Sequence, residues 1–180
     1  VKRKAVVFTV MMMTAGLSAS AAEPVQLSLT PDVAIHDRGV MIRGIALNIW
    51  GENPQEALAL GIVNGSTGQS LGFSWSLLLN YAESYRGVQW AAVNYATAEF
   101  TGWQGGCINY SGGSTYGLQT AFVNYSAHLR GLQLGLFNVA ESTDEALQVG
   151  VINLLPENET WFGNLPEELA PGMVLVNWSF

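Results

Sequence analysis

The chain is poor in the residues that usually do chemistry or carry charge. Among 180 residues there is one cysteine and there are two histidines. Lysine occurs only at Lys2 and Lys4, and the arginines beyond Arg3 are Arg38, Arg43, Arg86 and Arg130. Cys107 alone excludes an intrachain disulfide framework. His36 and His128 lie in no metal-ligand spacing with Cys107 or each other, so no metal site and no cofactor is expected. With a formal charge of −7, the chain lacks the basic footprint of a nucleic-acid binder. No apolar run beyond the first residues reaches the length a transmembrane helix needs, so any membrane crossing falls to strands.

The start of the chain has its own logic. Lys2, Arg3 and Lys4 precede an apolar stretch at 5–17 and a run of small residues at 18–22. That is the pattern of a cleaved export signal, too short to span a bilayer as a helix. Residues 1–22 are therefore expected to be a signal peptide and 23–180 a single β-repeat domain. Loss of Lys2, Arg3 and Lys4 would take the formal charge from −7 to −10.

What the sequence has in abundance is a repeat. Asn64, Asn80, Asn94, Asn109, Asn124, Asn138 and Asn153 recur at steps of 16, 14, 15, 15, 14 and 15 residues. Seven residues before Asn94, Asn109, Asn124 and Asn138 stand Gly87, Gly102, Gly117 and Gly131; Ala57 and Ala146 hold that place before Asn64 and Asn153. Leu132, Leu134 and Leu136 alternate with Gln133, Gly135 and Phe137, the period of a strand. Gln89, Gln104, Gln119, Gln133 and Gln148 occupy one position, followed two residues later by Ala91, Gly106, Ala121, Gly135 and Gly150. Segment 72–80 carries one extra residue, the mark of a bulge. Connections such as SGGST at 111–115 are rich in turn formers. With VQLSL at 25–29 and MVLVNWSF at 173–180, ten candidate strands result.

Two all-β arrangements suit such a row. The first expectation is an antiparallel up-and-down β-barrel of about ten short strands in an outer membrane. Strands of about nine residues cross such a membrane when tilted. Tyr81, Tyr95, Tyr110 and Tyr125 would then alternate between two rims as aromatic girdles, with the glutamines in a crowded lumen. The alternative is a parallel β-solenoid with coils of about 15 residues, Gln and Asn stacking as ladders and the end strands acting as caps. A period of one strand favours the coil; the apolar residues on both faces favour the barrel.

At GLQLGLFNVAES, GVQWAAVNYA and the closing VNWSF, the chain resembles a bacterial family of surface-repeat-containing proteins named after leptospiral members. The resemblance runs from about Val25 to Phe180 and implies a cell-surface or outer-membrane location, with no activity and no catalytic residue to carry across. Departures occur at Ala57 and Ala146 and in 72–80, where either Ser74 or Trp75 replaces Gln.

No catalytic constellation emerges. Ser126 and His128 form the only Ser and His pair close in sequence, with no acidic third member nearby. Glu157, Glu159, Glu167 and Glu168 read as a solvated acidic loop. The N-x-S/T triplets at Asn64, Asn109, Asn124, Asn158 and Asn177 read as by-products of the repeat. The expected function is non-enzymatic: a bacterial outer-membrane or surface protein with a structural or interaction role, contacting outer-membrane lipid, with an extracellular protein or glycan as a further partner. The alternative is an exported β-solenoid adhesin or scaffold.

Overall fold

The computed structural model describes residues 22–158 and 171–180, and there the chain winds as a parallel β-solenoid. Most of the expected signal peptide and Glu159, Glu167 and Glu168 lie outside the described residues. Strands β1 (Glu23–Thr30), β2 (Val33–Ala34), β3 (Ile42–Glu52), β4 (Gln55–Thr120), β5 (Val123–Leu154) and β6 (Gly172–Ser179) form one sheet in the order β2-β1-β3-β4-β5-β6. β4 and β5 are far longer than any flat strand, because each passes from coil to coil without leaving the extended conformation. Ile42 pairs with Gln55, Asn109 with Asn124 and Gly117 with Gly131, all parallel. From Gly44 to Ala146 the chain completes about seven turns.

The barrel expectation is thereby overturned. An up-and-down barrel requires antiparallel neighbours, whereas among the described residues antiparallel pairing is confined to β1 with β2 and β5 with β6, at the two ends. The tyrosines mark the difference. Instead of alternating between rims, Tyr95, Tyr110 and Tyr125 stack in one column with ring centroids 5.2 and 4.7 Å apart. There is no lumen for the glutamines to line. The connection at 111–115, read as a turn, is itself strand and forms part of the coil's return path.

Glycine sets the column at which each segment starts. Gly72, Gly87, Gly102, Gly117 and Gly131 share φ between +128° and +142°, a region that side chains exclude. A Cβ on Gly102 would stand 2.0 Å from the carbonyl oxygen of Gly87 in the coil beneath. Ala57 and Ala146 have no such φ; Leu175 is the one described non-glycine residue with a positive value. Gly72 and Gly87 are 15 residues apart while Asn80 and Asn94 are 14 apart, which puts the extra residue between Gly72 and Asn80; the buried alternation of Ser74 and Ser76 narrows it to the stretch after Ser76. Ser74, not Trp75, takes the glutamine position and is buried.

Inside the coil, the core is largely amide. Each asparagine Nδ2 donates to the Oδ1 of the next: Asn80 to Asn94 at 2.9 Å, Asn94 to Asn109 at 2.8 Å, Asn109 to Asn124 at 2.9 Å, Asn124 to Asn138 at 2.9 Å and Asn138 to Asn153 at 2.8 Å. Ser74 patches the gap, accepting from Asn64 and donating to Asn80. The glutamine ladder runs the other way, with Gln148 donating to Gln133, Gln133 to Gln119, Gln119 to Gln104 and Gln104 to Gln89. The second hydrogen of Gln119, Gln133 and Gln148 reaches across the coil to the carbonyl six residues on. Small residues after the glutamine leave room for this: a Cβ on Gly135 would meet the Asn124 amide at 2.6 Å.

A buried amide left without partners costs about 1 to 3 kcal/mol, so these ladders are stable only as complete sets. Apolar packing adds three small clusters, among them Ala82, Tyr85, Ala96 and Phe100 in one and Leu129, Ala140, Ala146 and Leu155 in another.

Candidate interaction surface

With Gln and Asn turned inward, the alternate residues of each segment must point out. They form a continuous apolar sheet face: Ile45, Leu47 and Ile49; Leu58, Leu60 and Ile62; then Phe73, Trp75 and Leu77 in the next coil. Further along come Val88 and Trp90, Leu132, Leu134 and Leu136, and Leu147, Val149 and Val151. Leu47, Trp90 and Leu136 are 43, 47 and 46% exposed. Val25 and Leu27 extend the face onto β1, in register with Ile45 and Leu47. Trp178 and Val176 extend it onto β6, opposite Leu147 and Val149.

None of the eight segments 44–51, 57–64, 72–80, 87–94, 102–109, 117–124, 131–138 and 146–153 contains Asp, Glu, Lys or Arg. The charges sit on the return path, where Arg43 pairs with Glu56 and Arg130 with Glu145. The Glu56 carboxylate, by hydrogen bond and charge, raises the Arg43 pKa. The molecule is thus amphipathic on the scale of the whole coil. An apolar patch of this extent is uncommon on the surface of a monomeric protein.

The face is not uniform. Near its middle, Ala92, Gly105 and Cys107 floor a depression of about 530 Å³ bounded by Trp75, Leu77, Trp90, Trp103 and Phe122. Trp90 and Trp103 touch with centroids 5.4 Å apart. Toward β1, a second concavity of about 780 Å³ lies between Leu27, Val33, Ile35, Ile49, Ile62 and Trp75. Along the border stands the tyrosine column. The Tyr125 hydroxyl donates to the Glu141 carboxylate, which, ahead of burial, pushes its pKa up to about 12. Burial, then the hydrogen bond to Glu52, pushes Tyr81 up to about 12.

The residues considered for chemistry are not brought together. Ser126 is buried and its Oγ bonds to Thr115 and to the His128 carbonyl, not the imidazole. The His128 ring instead lies on the polar side, 2.9 Å from Ser142 Oγ and 3.2 Å from Asp144 Oδ2. Sequence reasoning missed Ser142 and Asp144; the signal was their spacing of about one coil from His128. Ser142 Oγ donates to the Ala127 carbonyl, so its proton is engaged in the wall rather than with the ring. No group of three His, Cys, Asp or Glu capable of holding a metal occurs among the described residues. Asn64, Asn109, Asn124 and Asn177 are buried in the folded coil, with no room around them for a glycan. No family model, no curated protein and no solved structure matches the chain.

Proposed function

We propose that the protein is a non-enzymatic β-solenoid of the bacterial exterior, acting as a scaffold or adhesin through its surfaces rather than through a site. The observation that carries this reading is the division of labour in the repeat. Every recurring Gln and Asn is spent on the wall, and the outward positions of the same segments make an uncharged apolar face. The basic and apolar pattern of residues 1–22 and the likeness to surface-repeat proteins support export to the outer membrane or cell surface. The net charge of −7 supports an extracellular protein or glycan, not a nucleic acid, as the adhesin's partner.

Two measurements test this. Protease treatment of intact cells should cut the protein, and mass spectrometry of the mature chain should find residues 1–22 gone. Recovery from the cytosol with Lys2 to Lys4 retained would contradict it. Esterase and lipase activity should stay at background, with Ser126→Ala and His128→Ala indistinguishable from the parent chain.

A further inference from the structure

The apolar face, together with its central depression, points to a specific occupant: we propose that it is the interface with a second copy of this chain, packed face to face about a two-fold axis that crosses the sheet between segments 87–94 and 102–109. The inference deepens the reading of this face as an interaction surface.

Size is the first argument. The ten strands from β1 through the eight segments to β6 are separated by nine spacings of about 4.8 Å, and with about 17 Å of strand each they give roughly 700 Å² per copy. Two copies bury about 1,400 Å², within the range of specific protein interfaces.

Charge is the second. The chain is acidic and its described residues contain no lysine, so an anionic lipid surface would repel it, as would a second copy docked on the charged side. The uncharged face is where two such chains can meet without like charges being buried.

Self-complementarity is the third. The proposed axis exchanges the fourth and fifth segments and keeps positions along the strand. Trp90 of one copy then lies over Gly105 of the other, where it meets the Trp103 ring that leans across that glycine. Leu77 meets Phe122, these being 59 and 61% exposed in one copy. Aliphatic rows meet elsewhere, with Leu58, Leu60 and Ile62 against Leu132, Leu134 and Leu136. An isologous contact of this kind closes on itself and does not polymerise.

Cys107 is a built-in reporter. It is exposed and one half-spacing from the axis, so sheets packed about 10 Å apart place the two Cα atoms about 11 Å from each other. That is too far for a disulfide but within reach of a short bismaleimide. Purified protein should sediment at twice the chain mass, and the bismaleimide should convert most of it to a covalent dimer, lost in Cys107→Ser. Trp90→Glu and Leu134→Glu, both at outward positions, should give monomers with the parent's circular dichroism and a melting point lowered by loss of the partner, while Thr97→Glu on the return path stays dimeric. A monomer at all concentrations without cross-link overturns the proposal. So does a dimer that survives both face substitutions, and so does a monomer that floats with phosphatidylcholine vesicles, which would assign the face to lipid. None of these outcomes alters where the protein is found in the cell, so failure here is distinguishable from failure of the surface-protein reading.

Discussion

A methyl group added at Gly102 would run into the backbone of the neighbouring coil, where no rotamer change can relieve it, and the φ of +132° would strain any side chain as well. Gly102→Ala is expected to cost about 3 kcal/mol or more in urea unfolding. The ladders allow a finer test. Gln119→Leu strands the Gln104 acceptor, a Gln133 donor and the Tyr125 carbonyl, for a loss of about 3 kcal/mol. Gln148 is the end of its ladder and its Oε1 has no partner among the described residues, so Gln148→Leu should cost clearly less. Equal losses would count against the ladder as a source of stability. Tyr85 makes the opposite case: its hydroxyl is buried without a partner among the described residues, and burial alone raises its pKa. Tyr85→Phe should gain about 1 kcal/mol. Tyr81, raised to about 12 by burial and then by its bond to Glu52, binds its proton more tightly folded than unfolded. Its contribution is whole below pH 10 and is lost as pH rises through 12. Thermal midpoints measured from pH 9 to 12 should fall, and fall less in Tyr81→Phe.

Among the elements, the end strands do what the coils cannot do for themselves. A parallel stack leaves an open edge at each end, a template for further strands. β2 lies antiparallel on the edge of β1, and β6 lies antiparallel on the last coil from Ala146 to Leu154. Asn153 donates to the Met173 carbonyl, tying the end of the asparagine ladder to β6. Removing 171–180 should expose that edge, and light scattering should show growth with concentration that the intact chain does not show; a stable, non-associating product would deny β6 its capping role. Much of this was legible in the sequence: the repeat, the inward Gln, VQLSL as a first strand and the extra residue in 72–80; Asn, five positions after Gln, falls on the opposite face under strict alternation and was expected to stack only in the coil. What period two cannot convey is the direction of the neighbouring strand, since a barrel and a coil need the same alternation. The tyrosines were ambiguous for the same reason. Gly112 and Gly113 misled as turn formers, for Gly113 is a strand residue whose absent side chain lets the Ala98 carbonyl approach.

For the whole molecule, identical register in every coil is the cause of the rest. It aligns amides into ladders, tyrosines into a column and uncharged segments into one face, while the return path collects the charge. Apolar residues on both faces of the segments were legible in the sequence; that one set of them forms a single uncharged flank of a parallel coil was not, because the direction of neighbouring strands was open. The direct test of that stacking is a cysteine pair placed one coil apart on the exposed return path, Thr97→Cys with Gly112→Cys, in a Cys107→Ser background. Parallel neighbours about 4.8 Å apart are within disulfide reach. Mild oxidation should close the intramolecular bond rapidly and completely at low protein concentration. Persistence of two free thiols in the folded chain would contradict the parallel coil.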